Sequence, residues 1–539
     1  MLMEAECISF GQIPHSSRLF VDYLEHFERV AKFYPLSPRE VDQLPERRKL
    51  LAYPDERRKA MADILERQNR SFAGPAGVEP EVLKNIERFR QGAAAIVSGQ
   101  QVALFGGPAF ALYKALTAIK TAKELERRGT PAVPIFWLAT QDHDFAEVSR
   151  VSLRASGKLQ AFSISLTGVE GAPVGGLVLD EKAAAVAQAA ASFLGATPMA
   201  QELTRCYAAG ETLGGAFAKL FAAIFGARGL ILLDPSHPEV GRLAAPVYEK
   251  TLELAPELTK DLLARDRELE TAGYQSQVKI TNSSTLVFTT VEGVRTPIRK
   301  TNGDFAIGQR KVKLAELKQE IAKHPERFSG NAILRPVAQD FLLPTLSYIG
   351  GPAEVAYFAQ AAVAYERIVE KVTPILPRLS ATVLDPRDQR LLKRYKLSLL
   401  DVLRAGRGLK EFLASRNLPA ELDDRFNKIS ESMSTSLAAL AELLQKLDPT
   451  LADSSGHSFS KIRYQLQRLR SRAARAQVKR DHELEQQAAA LSQSLYPGQE
   501  LQERLIGGIS FIAQFGPEFL DRIYEAIGPG CTGHQVIAI

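Results

Sequence analysis

The stretch that decides the fold is AAAIVSGQQVALFGGPAFALYKALTAIKTAKELERRGTPAVPIFWLAT, residues 93–140. It begins with a short apolar run that ends in glycine, and a glycine-rich turn then leads into an amphipathic segment over 111–129. A second apolar run, PAVPIFWLAT, follows at 131–140. Strand, helix and strand in this order form a βαβ unit, in which the two strands are parallel and the crossover is right-handed. The sequence therefore predicts an α/β protein with a parallel-sheet core.

Further strands and two inserts are predicted downstream. Residues 151–225 are rich in alanine and glycine, and the alternating segment SSTLVFTTVEGVRTPIRK within 272–330 predicts a small antiparallel insert. Three short apolar runs followed by polar residues are predicted as additional strands of the parallel sheet. These runs are GLILLDPS (229–236), NAILRPVAQD (331–340) and PILPRLSATVLD (374–385). In the first 90 residues, apolar spacings of three and four predict helices over 19–33 and 79–90.

Long polar helices are predicted beyond Asp385. Apolar residues recur at spacings of three and four before and after a turn predicted at 448–458, which indicates an antiparallel, coiled helical hairpin. Its second helix is basic and carries Lys461, Arg463, Arg468, Arg470, Arg472, Arg475, Lys479 and Arg480. The predicted domains are the first half of the core with N-terminal helices (1–150), a first insert (151–225), core (226–271), a second insert (272–330), the second half of the core (331–385), the helical coiled-coil domain (386–500) and a C-terminal segment packing on the core (501–539).

The composition is that of a globular protein. Of the 539 residues, 45% are hydrophobic and 24% charged, which excludes disordered and fibrous classes. No apolar stretch approaches the roughly 18 to 20 residues of a membrane span, and the N-terminus carries acids where a signal peptide has basic residues. The net charge of +6 is mild. A cytoplasmic enzyme that does not bind membranes is expected.

The three cysteines, Cys7, Cys206 and Cys531, are too few and too scattered for a disulfide framework or a CxxC metal site. We therefore expect all three to be reduced thiols. No catalytic role is assigned to Cys7 or Cys206.

Candidate site residues follow the predicted strands, because ligands of open parallel sheets bind at the carboxyl ends of the strands. Glycines at a strand-to-helix turn let backbone amides approach phosphate or carboxylate groups. A tight turn beneath a packed helix is the structural alternative. The candidates around the first strand and its helix are Gly99, Gln100, Gln101, Gly107, Pro108, Tyr113 and Lys114.

The segment TQDHDFAE (140–147) follows the second strand and places four ionisable side chains together. A histidine between two aspartates suits general acid or base chemistry or the stabilisation of a phosphate charge. Carboxylates and imidazole also bind divalent metals, although no metal ligand is assigned. Asp142, His143 and Asp144 are the predicted catalytic residues, and a capped helix start is the alternative interpretation.

The remaining candidates follow the later strands. An arginine gives bidentate recognition of carboxylate or phosphate, and an acid in a first helical turn either binds a substrate amine or complements the helix dipole. For Arg378 and Ser380 a structural ion pair is the alternative. The predicted binding residues of this group are Asp234, Arg335, Gln339, Gly350, Gly351, Glu354, Arg378 and Ser380.

Six blocks in order resemble the bacillithiol-biosynthesis cysteine-adding enzymes over nearly the whole chain. They are VSGQQVALFGGPAFALYKALTAIKTAKELE, VPIFWLATQDHDFAEV, GLILLDPSHP, LRPVAQDFLLPTLSYIGGPAEVAYF, PILPRLSATVLD, and the tail YPGQELQERL with GHQVIAI. The resemblance implies that cysteine is joined to the amine of glucosaminyl-malate to give bacillithiol. It also implies a Rossmann-like core resembling class I aminoacyl-tRNA synthetases, two connecting inserts, and a coiled-coil domain that forms a homodimer. By the same analogy, the GQQ, GGP and DHD segments correspond to positions that bind nucleotide and activated acyl group.

The chain departs from the family pattern at three positions. Ala103, Gly106 and Gln141 stand where GQQ-x-G-L-F-T-G-P and an acid before DHD are expected. The missing acid moves the expected catalytic role to His143 and Asp144. No KMSKS-like loop occurs, so Lys114, Arg335 or a metal ion is expected to neutralise pyrophosphate.

Amide formation requires an activated carboxylate, so ATP with Mg²⁺ is expected and no tightly bound organic cofactor. Acyl adenylate and acyl phosphate routes both remain open. His143 and Asp144 are expected to stabilise charge on the reacting phosphate or to act as base, and Arg335 with Glu354 to orient substrate.

Two other functions compete with this prediction. The first is another adenylate-forming or nucleotidyl-transferring amide ligase that acts on a different amino acid. The second is an RNA-binding protein that uses the basic helix 461–480, which is disfavoured because Tyr464 is its only aromatic residue. A catalytically silent scaffold does not explain the polar residues at five strand ends.

Overall fold

The computed structural model describes residues 6–49, 51–75, 77–416, 420–448, 450–478, 482–528 and 531–539. Its contacts divide the chain into two units. The first contains Met1–Thr382, Glu503–Ile537 and Ile539, and the second contains Val383–Gln502 and Ala538. Among the helices of the described residues, none combines the length and the apolar character that crossing a membrane requires.

The first unit is built on a five-stranded sheet. Its strands in chain order are β1 (Ala94–Gln100), β2 (Ala132–Leu138), β3 (Ile231–Leu233), β4 (Thr345–Gly350) and β5 (Ile375–Pro377). They lie in the order β5-β4-β1-β2-β3, and every neighbouring pair is parallel. Along the chain, β2 and β3 are thus added on one side of β1, and β4 and β5 are then added on its other side. The predicted parallel α/β core is confirmed.

Both faces of this sheet are buried, as in other parallel sheets. Every residue of β2 is buried, and Ile96 and Val97 of β1 are fully inaccessible. The helix Phe110–Arg127 packs on both β1 and β2 and contributes Ala118 and Ala122 to the core. Outside the two inserts, the other helices of five or more residues in this unit are Arg18–Glu25, Leu44–Arg48, Asp55–Phe72, Pro80–Arg90, Pro238–Glu253, Ala255–Thr271, Leu334–Leu342 and Pro352–Ile368, with Gly508–Phe515 and Glu518–Ala526 near the C-terminus.

The strand predicted at 331–340 is wrong, because that segment forms the helix Leu334–Leu342. The Asn331 side chain accepts hydrogen bonds from the backbone N–H groups of Ile333 and Leu334, which starts the helix. The strand of this region is β4, which begins after the helix Leu334–Leu342 has ended.

Two further segments are shorter than predicted. The apolar run 374–385 divides into β5 and the strand Ser380–Leu384, which belongs to a different sheet. The helix predicted over 19–33 ends at Glu25, because His26 leaves helical geometry with φ −136° and ψ 53°. Short 3₁₀ turns continue from there.

The two inserts have different architectures. The first consists of an antiparallel hairpin, Arg150–Ala155 with Lys158–Ser163, and three helices, Glu181–Leu194, Pro198–Cys206 and Leu213–Phe225. The second is an antiparallel sheet, as the alternation predicts. Its strands in spatial order are Arg310–Val312, Phe305–Ile307, Val294–Lys300, Ser284–Val291 and Phe328–Gly330, and it carries the helix Leu314–Lys323.

The second unit is helical. Its helices are Pro386–Tyr395, Leu399–Ala405, Leu409–Arg416, Ala420–Leu447, Thr450–Val478 and His482–Leu495. Arg470 forms an ion pair with Asp423 and donates to Asn427 at 3.3 Å, so the two long helices run antiparallel. Lys479, Arg480 and the side chain of Arg475, which were assigned to the basic face, lie outside the described residues.

The turn predicted at 448–458 is too long, because the second long helix already begins at Thr450. A glycine inside a helix lowers the stability of the helix by only about 1 kcal/mol. At Gly456 the helical turns on either side compensate for this loss. The polar composition of this segment therefore indicated a loop that the chain does not form.

The two ends of the chain meet in a small sheet. The strand Glu6–Ile8 pairs antiparallel with His534–Ala538, which lies beside Ser380–Leu384. This pairing brings Cys7 and Cys531 together in a disulfide across 524 residues of sequence. The expectation of reduced thiols is therefore wrong for these two cysteines, since sequence spacing does not show which termini pair. Cys206 is a buried free thiol.

Candidate functional site

A pocket of about 470 Å³ lies at the carboxyl ends of the central strands. Its wall includes residues that follow β1, β2, β3, β4 and β5, and residues of the second insert. The strand order reverses between β1 and β4, which is the place where open α/β sheets bind ligands. The pocket therefore occupies the position that the fold favours for a site.

Many of the predicted site residues meet in this pocket. Gly99 needs to be glycine, because a Cβ atom there would lie 2.7 Å from the Trp137 carbonyl oxygen on the neighbouring strand. Gln141, which stands in place of the expected acid, also lines the pocket and donates to the Pro235 carbonyl at 3.2 Å. The predicted residues in the lining are Gly99, Gln100, Gln101, Lys114, Asp142, His143, Arg335, Gly351, Glu354 and Arg378.

The GGP turn and Tyr113 lie outside the lining. Pro108 forms a β-bridge with Gly507, and the Gly508 N–H donates to the Gly107 carbonyl, so this turn contacts the C-terminal segment. Tyr113 is fully buried, and its hydroxyl finds no hydrogen-bond partner among the described residues.

Five other predicted residues support the pocket from behind or from its rim. The Asp144 carboxylate accepts from the Glu147 N–H at 3.0 Å and thus caps a short helix. Asp234 accepts from Thr140 Oγ1 at 2.5 Å. Gln339, Gly350 and Ser380 are buried and do not belong to the lining either.

Lys114 and Glu354 join the two halves of the sheet at the bottom of the pocket. Lys114 Nζ lies 2.7 Å from Glu354 Oε2, and it donates to the Gln100 side chain and to the Gly99 carbonyl. Burial lowers the pKa of Lys114 to about 8. Burial alone would raise the pKa of Glu354, but the charge of Lys114 and hydrogen bonds, including one from the Gly351 N–H, hold it below its usual value. The pair is therefore a fixed element of the pocket.

Two arginines lie near this pair. Arg335 donates to the Tyr357 hydroxyl. Arg378 donates to Glu503 Oε1 at 2.7 Å and lies 5.2 Å from the centre of the Phe110 ring, while its Nε has no hydrogen-bond partner in the described part of the chain. Both guanidinium groups are thus held in place by protein contacts.

Behind Arg378 lies a buried polar network. The Ser380 hydroxyl donates to Glu503 at 2.9 Å and lies 2.8 Å from His534 Nδ1. The Thr382 hydroxyl lies 2.8 Å from His534 Nε2. Glu503 and His534 therefore anchor the wall of the pocket, although the sequence did not single them out.

The opposite end of the pocket carries carboxylates and the histidine. The Gln101 side-chain amide donates to Asp142 at 2.8 Å and to Glu147 at 2.9 Å. His143 Nδ1 lies 2.9 Å from a terminal nitrogen of Arg295. Arg295 belongs to the strand Val294–Lys300 of the second insert.

Sequence reasoning missed several residues of the lining. Local spacing carries no signal for Arg295, because only the packing of the second insert brings it to the strand ends. Asn331 had a signal, since an asparagine before an apolar run is a helix cap. The lining residues with polar or charged side chains that are not among the predicted site residues are Gln141, Glu147, Arg295, Asn331, Tyr348, Tyr357 and Arg504, of which the first two lie in the segment 140–147.

The pocket is cationic. Lys114, Arg295, Arg335, Arg378 and Arg504 outnumber the acids Asp142, Glu147 and Glu354 by two. Such a site suits ligands with carboxylate or phosphate groups. In the part of the chain that the structure describes, no group of three or more His, Cys, Asp or Glu side chains is arranged to bind a metal ion.

Comparison with known proteins places the whole chain in one family. Residues 3–379 match the family model described as the bacillithiol biosynthesis BshC N-terminal Rossmann-like domain. Residues 381–539 match the BshC C-terminal coiled-coil domain. The chain belongs to the BshC family. The resemblance, the Rossmann-like core and the coiled-coil domain that the sequence predicted are thus confirmed.

Full-length BshC relatives come from several bacteria, and each carries the provisional name cysteine ligase BshC. The chain is 42% identical to the protein of Koribacter versatilis and 37% identical to that of Solibacter usitatus, and both matches cover 100% of each chain. The relative from Salinibacter ruber is 29% identical over 97% of this chain and 96% of its own length. Both units and both inserts therefore belong to the shared BshC architecture.

Proposed function

We propose that this chain joins L-cysteine to the amine of glucosaminyl-malate and so forms bacillithiol, with ATP-dependent activation of the cysteine carboxylate. The observation that carries the proposal is the cationic pocket at the switch point of the sheet, in a chain that matches the BshC family from end to end. The family description supplies the pathway, and the pocket supplies a place where anionic substrates bind.

The charges of the pocket fit the proposed substrates. Malate and cysteine carry carboxylates and ATP carries phosphates, and Arg335, Arg378 and Lys114 are donors for such oxygens. Mg²⁺ is usually bound by one or two protein carboxylates together with substrate phosphates, and Asp142 and Glu147 are the carboxylates that would hold it.

Amide formation makes one bond and breaks one. The sugar nitrogen bonds to the cysteine carbonyl carbon, the bond from that carbon to its activating phosphate oxygen breaks, and the nitrogen loses a proton. Whichever of Asp142 and Glu147 does not hold Mg²⁺ is the proposed acceptor of this proton, because both line the pocket whereas Asp144 does not. Adenylate and acyl-phosphate routes both satisfy this balance.

The proposal includes a homodimer formed through the helical hairpin. Leu440, Leu443 and Leu447 lie on one side of the first long helix and are 45%, 63% and 78% exposed. Leucines at spacings of three and four that face solvent are typical of a helix that packs against another helix. A second copy of the hairpin would cover them. The reaction is proposed for the cytoplasm, where cysteine and ATP are available.

The test is a coupled assay of the purified full chain with Mg-ATP, cysteine and glucosaminyl-malate. Mass spectrometry detects the thiol product, and AMP or ADP identifies the activated intermediate. Arg335→Met is expected to lower kcat/KM strongly, because it removes a charge from the pocket. Arg310→Met is the matched control, since Arg310 is exposed on the second insert.

A folded protein that forms no bacillithiol would contradict the substrate assignment. The same preparation is then screened with other amino acids and amines, since a different amide product would establish another ligase on this fold. Affinity for tRNA that falls steeply with salt would instead favour the RNA-binding alternative.

A further inference from the structure

The contact between Arg295 and His143 defines the chemistry of the histidine. His143 lies on the loop after β2, and Arg295 comes from the second insert, 152 residues further along the chain. A terminal guanidinium nitrogen of Arg295 lies 2.9 Å from His143 Nδ1. Both residues line the pocket.

The guanidinium of Arg295 is fixed independently of the histidine. Its Nε donates to Ser329 Oγ at 3.0 Å, and its second terminal nitrogen donates to the Gly330 carbonyl at 2.7 Å. The group also lies 4.1 Å from the centre of the Phe288 ring. Arg295 is only 9% exposed, so the nitrogen that meets His143 has a set position.

The direction of this hydrogen bond follows from the chemistry of arginine. A guanidinium has only N–H donors and stays protonated in proteins. His143 Nδ1 must therefore accept, and the neutral ring carries its proton on Nε2. Asp142 does not reverse this assignment, because its Oδ1 lies 3.5 Å from Nδ1 and instead accepts from the His143 backbone N–H at 2.7 Å.

The Nε2 edge of the ring is available to a ligand. No residue in the described part of the chain is hydrogen-bonded to Nε2, and the His143 side chain is 42% exposed. An N–H at this position donates, and it has no lone pair with which to take a proton from an amine.

We infer that Arg295 is a positioning residue that fixes His143 in the Nε2–H tautomer, so that His143 donates a hydrogen bond to a substrate oxygen that gains negative charge. This assignment replaces the base role with that of a donor to a phosphate or acyl oxygen. The second insert, which carries Arg295, thereby contributes to the reaction. The statement about the reaction rests on the proposed function, but the statement about the tautomer does not.

The first test is spectroscopic and needs no substrate. Two-bond ¹H–¹⁵N spectra of the full chain with ¹⁵N-labelled histidine distinguish the two neutral tautomers, and His143→Gln identifies the signal of His143. The wild type is expected to show the Nε2–H pattern, and Arg295→Met to lose it in part or wholly. Arg299→Met is the matched control, because Arg299 is exposed on the same strand. An Nδ1–H pattern in the wild type, or no change in Arg295→Met, would overturn the inference.

The second test uses the ligase assay. Loss of one charge-stabilising donor costs about 100-fold in kcat, which is the loss expected for His143→Ala. A glutamine amide can replace an Nε2–H donor and an asparagine amide cannot reach that position, so His143→Gln is expected to keep about 10-fold more kcat than His143→Asn. Arg295→Met should lower kcat with little change in KM. Equal activity of the glutamine and asparagine variants contradicts the donor role, whereas an inactive wild type with the Nε2–H pattern contradicts only the proposed substrates.

Discussion

At the scale of single residues, the buried pair of Lys114 and Glu354 connects the two halves of the sheet. Lys114 follows β1 on the helix Phe110–Arg127, and Glu354 lies in the first turn of the helix that follows β4. The side chains are only 4% and 13% exposed, so solvent compensates little for the loss of either partner. Removal of one partner therefore leaves the other as an uncompensated buried charge.

We predict that Lys114→Met destabilises the protein by about 3 to 5 kcal/mol, because it leaves the Glu354 carboxylate without its cation. The double variant Lys114→Met with Glu354→Gln is expected to recover part of this loss, since no net charge then remains at the site. Thermal unfolding of the two single variants and the double variant measures the coupling. A double variant that is as unstable as the sum of both single variants would show that the two side chains do not interact.

His534 gives a second prediction, on pH. Burial lowers its pKa in the folded protein to about 4, whereas in the unfolded chain it is near 6.5. Between these values the unfolded chain binds a proton that the folded protein does not. Stability is therefore lost as the pH falls from about 6.5 to about 4, by about 3 kcal/mol in total.

The thermal midpoint of the wild type is thus expected to fall between pH 7.5 and pH 5 by more than that of His534→Gln. The difference arises because glutamine does not titrate. The variant His457→Gln is the control, since His457 is exposed on the second long helix. An identical pH dependence in wild type and His534→Gln would disprove the assignment.

At the scale of elements, the sequence correctly predicted the helices and strands whose hydrophobic period is clear. The helix Phe110–Arg127 and the strands β1 and β2 lie where the pattern placed them. The strand predicted at 331–340 is wrong because a short apolar run is compatible with both helix and strand. Leu334, Val337 and Ala338 are buried at spacings of three and four, which is the helical period that the apolar run obscured.

The candidate site was predictable only in part, for a reason that also belongs to this scale. Strand-end residues such as Gln101 and Glu354 reach the pocket because the topology of a parallel sheet determines where its strands end. Arg295 reaches it because a whole insert packs over the sheet, and no local pattern encodes that approach. The GGP turn shows the converse, since its local pattern suggested an anion site while its contacts are with Gly507 and Gly508.

A further prediction concerns the oligomeric state that the helical hairpin is proposed to form. We expect the double variant Leu443→Glu with Leu447→Glu to be a monomer in light scattering, because it places carboxylates in the proposed contact of two copies. Its helical content by circular dichroism should equal that of the wild type, since both leucines face solvent within one chain. Gln445→Glu is the control on the other side of the same helix and should remain a dimer. A monomeric wild type would disprove the proposed interface.

At the scale of the whole molecule, the disulfide Cys7–Cys531 defines how many thiols the protein presents. Alkylation of the urea-unfolded protein without reductant is predicted to label only Cys206, and alkylation after reduction to label all three cysteines. The native protein without reductant should not react, because Cys206 is buried and burial raises the pKa of its thiol to about 11. Mass spectrometry counts the labels, and three labels without reduction would show that the bond does not form.

The same bond closes the polypeptide between Cys7 and Cys531 into a covalent circle. The whole sheet, both inserts and the helical hairpin lie between its two cysteines along the chain. A protease that cuts one exposed loop therefore opens the circle without releasing a fragment, and the nicked molecule keeps its full mass until a reductant separates the pieces. In the chain-entropy description, closing so large a circle removes freedom from the unfolded chain worth on the order of 5 kcal/mol.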